Sequence, residues 1–270
     1  MNAVLPEIQI PMQQEILTKD GHQNWRRITV RDFGDKNVEF SLMPYETWNE
    51  FSEEDIRHRA KRGEGDRVRS AESAAKRSKR KVRHLCKLLK ARYMVTLTTR
   101  EIITDLNQFQ KLFQEFVRRI RKVSGFQYVA THELQKRGAL HLHIAVPNRI
   151  DCKLLWSIWR SIVGVDNGRV HISSPKSRMT KASAINRIAG YISKYIGKNF
   201  ETGDFNRRKY WASRNIGEVI VTVHRLRPDW SVVEVLLYIK ELCEELNVRF
   251  RFDDCWQNLP KGLFWMAATG

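Results

Sequence analysis

The chain has 270 residues, so it can bury a substantial core as one large domain or two small ones. Its formal net charge of +18 implies a polyanionic partner, most simply nucleic acid. No apolar run reaches membrane-spanning length, the N-terminus lacks a signal-peptide pattern and there is no GxxxxGK[ST] phosphate loop, so membrane and P-loop ATPase classes are excluded.

Residues 1–24 are polar and read as an arm. Residues 25–33 and 38–43 alternate around Gly34-Asp35-Lys36-Asn37 and predict a hairpin. Residues 53–69 carry mixed charge and two glycines, a linker or frayed helix. Between Arg57 and Arg92 there are 15 Lys/Arg against Glu64, Asp66 and Glu72, which is +12 of the +18. From Ser70, the residues Ala71, Ala74, Ala75, Val82, Leu85, Cys86 and Leu89 fall on one helical stripe. Lys76, Arg77, Lys79, Arg80, Lys81, Arg83, Lys87 and Lys90 take the other side. Such a face either follows a phosphate backbone or is simply solvated. The four cysteines, Cys86, Cys152, Cys243 and Cys255, have no paired or metal-type spacing and read as reduced thiols of a cytosolic protein.

Next comes a compact alternation. YMVTLTT, Tyr93–Thr99, is a β-branched strand. Residues 105–123 form an amphipathic helix with Asp105 as N-cap and Gly125 as stop. Residues 126–134 and 139–147 are strands, Asp151 caps a helix that ends at Gly164, and 169–173 is a short strand. The order βαββαβ predicts an α+β fold: a ferredoxin-like antiparallel sheet with helices on one face. The third strand would be internal, between the first and the second. A helix over 182–198, a strand at 218–223, a helix from a Ser231/Glu234 capping box through Leu246 and a last strand at 249–252 complete the reading. The C-terminal residues read as structural.

The third strand holds His141 and His143 on one face, with Leu140, Leu142, Ile144 and Val146 on the other. Alone, a His-x-His pair is two polar residues on a solvated face or half of a metal site. The hairpin before it sharpens the choice. A three-residue loop at 136–138 wants glycine in the left-handed position, which Gly138 supplies. That register sets Glu133 opposite His141, close enough to share an ion. Two imidazoles and a carboxylate suit Mn²⁺ or Mg²⁺. His132 falls on the apolar side, as a packed histidine.

The downstream helix, AINRIAGYISKYIGKNF, carries an apolar stripe of Ile185, Ile188, Ile192 and Ile196. Tyr191, Lys194, Tyr195 and Lys198 share a second face. Phenols with a free pKa of about 10 are poor nucleophiles, and neighbouring ammonium groups would favour the phenolate and neutralise transition-state charge. By themselves these are interfacial tyrosines with snorkelling lysines. Beside a metal strand they are complementary parts of a phosphoryl-transfer site.

Three stretches, YMVTLTTR at 93–100, HELQKRGALHLHIAV at 132–146 and GYISKYIGK at 190–198, resemble the HUH endonucleases, specifically rolling-circle replication initiators of phages and plasmids. The resemblance covers roughly residues 70–223. Histidine strand before tyrosine helix is the initiators' order; relaxases have the reverse. Tyr191-x-x-x-Tyr195 resembles the two-tyrosine type, and the Tyr-x-x-Lys spacing resembles one-tyrosine initiators. The run Arg207-Arg208-Lys209-Tyr210-Trp211 resembles phage initiators weakly and otherwise reads as a solvated loop. The resemblance implies that His141, His143 and Glu133 bind Mg²⁺ or Mn²⁺ and that Tyr191 or Tyr195 attacks a single-stranded DNA origin, linear or hairpin. The products would be a 5′-phosphotyrosine and a free 3′-OH, without ATP, and a host helicase and replication machinery would be needed in the cytoplasm of a bacterial host. Arg207, Arg208 and Lys209 would join residues 76–83 in binding DNA. The parts would be an arm, hairpin and basic linker (1–69), the endonuclease core (70–227) and a helical extension packed on it (228–270). A non-catalytic DNA-binding module and a single-strand transposase are the competing readings.

Overall fold

A computed structural model describes residues 22–48, 66–201, 209–226, 230–250, 255–258 and 263–270. Contacts divide the chain into two compact units. The first takes in the described residues of Met1–Val30, Glu39–Arg59 and Val221–Ala268; the second takes in those of Arg31–Val38, Ala60–Ile220 and Thr269–Gly270. The predicted class holds: the described residues are α+β, with two five-stranded antiparallel sheets.

The sheet of the first unit has the order β8-β1-β2-β10-β9. Its strands are β1 (His22–Asp32), β2 (Asn37–Trp48), β8 (Ile220–Leu226), β9 (Cys255–Asn258) and β10 (Leu263–Thr269). The expected N-terminal hairpin is present, with Gly34, Asp35 and Lys36 all at positive φ in its turn. Ile28, Val30, Phe40, Leu42, Phe264 and Met266 are buried in this unit. Helix α5 (Val232–Glu245) buries Val235, Ile239, Leu242 and Cys243. Its start is the expected capping box, in which the Glu234 backbone N–H donates to the Ser231 hydroxyl and the Glu234 carboxylate accepts from the Ser231 N–H. Strands β9 and β10 stand where the sequence suggests a single strand at 249–252.

The second unit holds α1 (Arg67–Leu88), β3 (Tyr93–Thr99), α2 (Leu106–Ile120), β4 (Val129–Leu134), β5 (Leu140–Val146), α3 (Cys152–Val163), β6 (Gly168–Ser173), α4 (Lys181–Glu201) and β7 (Tyr210–Ala212). Asp66, Asp105 and Asp151 cap α1, α2 and α3 through side chains that accept backbone N–H groups in the first turn. Sheet order is β6-β3-β5-β4-β7, so β5 is central, with β3 on one side and β4 on the other.

Alternation in β5 sorts two cores. Leu140, Leu142, Ile144 and Val146 join Phe109, Phe113, Phe116 and Ile120 of α2 and Leu155 and Trp159 of α3. On the opposite face, Met94, Val129 and Ala145 meet Val82, Cys86 and Leu89 of α1 and Ile188, Ile192 and Ile196 of α4. Helices therefore cover both faces, a correction to the expectation of one. The reason lies in the apolar stripes of α1 and α4, which stand outside the βαββαβ repeat and still require a surface. Lys87 is a second correction: it is buried rather than part of the basic face, its Nζ 3.4 Å from Asn37 Oδ1 and 5.1 Å from the Phe33 ring. The run at 207–211 is a third. Arg207 and Arg208 lie outside the described residues, but Tyr210–Ala212 is an edge strand on β4, and Trp211 enters the core.

Candidate nucleic-acid active site

The site begins in the β4–β5 turn. Gly138, at φ +83°, closes it, with Gly138 N–H donating to Gln135 O at 2.9 Å and Gln135 N–H to Ala139 O at 2.9 Å. Arg137 ties the turn to the end of β3 by donating to Thr99 O at 2.6 Å and Arg100 O at 2.8 Å. The resulting register pairs Glu133 with His141 and His132 with Leu142, as the turn geometry predicts. His132 packs beside Trp211, ring centroids 5.4 Å apart.

At the side-chain level the pairing is diagonal. Glu133 Oε2 lies 3.1 Å from His143 Nε2, not on His141. His143 Nδ1 is 3.3 Å from Thr96 Oγ1 on β3. Thr96 had no role in the sequence reading; its alternate position in YMVTLTT, facing the histidine strand, is the signal that points to it. His141 Nε2 is buried and has no hydrogen-bond partner. Burial, then His143 and Arg137, pull the His141 pKa down to about 4 against the opposing pull of Glu133, so its ring is neutral at neutral pH with a lone pair to give.

Helix α4 brings the tyrosines onto the histidines. The Tyr195 ring stacks on His143 with centroids 4.3 Å apart at 19°. Tyr191 meets His143 edge-on at 6.2 Å and Tyr195 at 5.1 Å. The Tyr195 hydroxyl donates to that of Tyr191. The two phenols differ in access: Tyr191 is 42% exposed and Tyr195 only 7%. Burial, then the Tyr191 hydrogen bond, hold the Tyr195 hydroxyl well above the ordinary tyrosine range. That corrects the expectation that neighbouring lysines favour its phenolate. Lys194 is exposed on the same helix, and the Lys198 side chain lies outside the described set.

These side chains fit a divalent cation by donor chemistry: two imidazoles, one with an unpartnered buried nitrogen, and a carboxylate. Among the described residues no three His, Cys, Asp or Glu side chains already converge as a metal cage. Of the expected DNA contacts, Lys76, Arg77, Lys79, Arg80 and Lys81 are exposed on α1, and Arg83 is half-buried. Lys209 is 6% exposed, and its carbonyl accepts from Thr131 Oγ1 at 3.2 Å, so it is no surface contact; pairing of β7 with β4 draws it in. No helix among the described residues is long and apolar enough to cross a membrane.

Residues 92–200 match the family model of the ORF2-type replication-associated proteins, a segment that contains every residue of the histidine–tyrosine cluster. The match supports a replication initiator family and a role in DNA replication. Comparison with curated proteins gives no match. Among solved structures, the crystal structure of the hypothetical protein ORF119 from Sulfolobus islandicus rod-shaped virus 1 is similar at 22% identity, over 43% of this chain and 91% of that one, with a TM-score of 0.29.

Proposed function

We propose that this protein nicks and rejoins single-stranded DNA by metal-dependent transesterification, as an HUH endonuclease that starts and ends rolling-circle replication of a phage or plasmid. The observation that carries the reading is the stack of Tyr195 on His143, 4.3 Å between centroids, with Tyr191 hydrogen-bonded alongside. Residues about fifty apart in sequence thereby form one cluster of the two side-chain types this chemistry needs. The strand order of β6, β3, β5 and β4 supports the ferredoxin-like core that goes with it.

His141, His143 and Glu133 would hold Mg²⁺ or Mn²⁺. When bound, the ion supplies polarisation of the scissile phosphate. Tyr191, the exposed phenol, attacks phosphorus in line. Its O–P bond forms, the P–O3′ bond breaks, the phenol loses its proton and the freed 3′ oxygen gains one. Tyr195 keeps a hydrogen bond on the Tyr191 oxygen, and Lys194, with Lys198, offsets the charge that builds on the phosphoryl oxygens. In a second cycle Tyr195 cuts the regenerated origin and the new 3′-OH closes the circle. The phosphotyrosine conserves the bond energy, so no ATP enters. Strand separation falls to a host helicase, and the protein acts in the cytoplasm of the bacterial host. The exposed basic residues of α1 favour a second reading, a DNA-binding module without catalysis.

The test is incubation of the full chain with a pool of single-stranded oligonucleotides and Mn²⁺, followed by a denaturing gel. A covalent protein–DNA band is expected, and none from the Tyr191→Phe/Tyr195→Phe double variant. A wild-type protein that binds the pool and forms no band contradicts the enzymatic reading and leaves the binding module.

A further inference from the structure

The histidine face does not stop at β5. Thr96 on β3 pairs with His143 on one side and with His171 of β6 on the other, so His143, Thr96 and His171 form one row across three strands. Thr98 pairs with Arg169 one step along. Side-chain parity puts the row on one face: Val170, between Arg169 and His171, belongs to the α2–α3 core, while Thr96 Oγ1 reaches His143 Nδ1. Arg169 and His171 are exposed, and Thr96 and Thr98 are half-buried. From His143 to His171 the row spans two strand spacings, about 10 Å.

Helix α4 packs on β4 and β5, whereas the helix packed on β6, α3, contributes to the opposite core. The β3–β6 part of the row therefore runs beside α4 rather than under it. Arg187, Tyr191 and Lys194 recur at four and three on α4 and are exposed. Arg187 Nη2 also donates to Ser174 O at 3.3 Å, just past the end of β6, which anchors a cation where the row meets the helix. Neither β3, β6 nor residues 174–200 contains a carboxylate.

From this arrangement we infer that edge strand β6 is a substrate track: Arg169 contacts a phosphate and His171 a base or phosphate of single-stranded DNA that crosses the sheet row away from Tyr191. The inference rests on the nicking reading for its direction, since it places the scissile phosphate at Tyr191. Cations beside polar hydroxyls with an aromatic ring at each end are what a single strand engages, by phosphate contact and base stacking. At a stacked rise of about 3.4 Å per nucleotide, the row accommodates roughly three nucleotides.

The experiment titrates the full chain into fluorescein-labelled oligo(dT), and into a labelled duplex, across a salt series. Arg169→Ala is expected to weaken oligo(dT) binding roughly tenfold and to flatten the log K against log salt slope by about 0.7, the loss of one single-strand phosphate contact. Arg169→Lys restores the slope, His171→Ala weakens oligo(dT) binding at unchanged slope, and duplex binding stays at wild type. Thermal melts at the wild-type midpoint exclude misfolding of these exposed edge-strand variants. Wild-type oligo(dT) affinity and slope in both alanine variants overturns the track, as does equal weakening on duplex. The covalent-band assay separates this from the nicking reading. A band with no effect of Arg169→Ala removes the track alone; weakened oligo(dT) binding with no band in wild type keeps the track and removes the nicking.

Discussion

The two faces of the β4–β5 hairpin carry histidines of nearly the same acidity in opposite settings. His132 sits on the α2–α3 side against Trp211, and burial followed by Lys209 pulls its pKa to about 4. His141 sits on the α4 side, and burial followed by His143 and Arg137 brings it to about 4 as well. Acidity therefore does not separate a core histidine from a candidate ligand. Neighbours do: the α4 side brings Tyr191, Tyr195, Glu133 and Thr96 to the His143 ring, while the other side brings aliphatic and indole packing. One residue of register decides which imidazole meets which set.

The comparison predicts effects that divide by face. The largest is Tyr191→Phe, which should abolish the covalent DNA band on a denaturing gel while single-strand binding persists. His141→Ala should remove the Mn²⁺ dependence of cleavage, scored by the same band with and without chelator; cleavage that continues to require Mn²⁺ in this variant breaks the metal assignment. On the apolar face, Trp211→Ala should lower unfolding free energy by about 3–5 kcal/mol in urea titration, with band formation per folded molecule unchanged. The smallest effect is a pH dependence from His132. Its folded pKa is below the ordinary 6.5, so the stability it contributes is present above pH 6.5 and is lost as pH falls towards 4. His132→Gln should reduce that acid loss by at most ~3 kcal/mol, read from urea midpoints across the window; an unchanged profile refutes a neutral buried imidazole.

Much of the site was legible because it obeys local rules. Gly138 fixes a turn, the turn fixes a register, and the register places Glu133 beside the histidine pair. Helical spacing places Tyr191 and Tyr195 together. What spacing does not encode is which rotamer each side chain takes, so Glu133 engages His143 rather than the directly opposed His141. Burial of Tyr195 was equally invisible, because it depends on the fit of α4 against β5. In the fold, β7 escaped notice since three residues are too few to show a period, and its basic, aromatic composition suggested a loop. Strand β10 reads LFWMAAT, apolar without alternation, and its neighbours β2 and β9 include a strand more than 200 residues earlier. Pairing at that separation leaves no mark on a local pattern.

The central claim is that Tyr191 becomes covalently bonded to DNA at the histidine face. Its most direct test is proteolysis of the cross-linked band from single-stranded DNA and Mn²⁺, with the nucleotide adduct mapped by mass spectrometry. The account predicts a phosphonucleotide on the α4 peptide at Tyr191 in wild type. An adduct confined to any residue outside α4, in a protein that binds the same DNA, would contradict it.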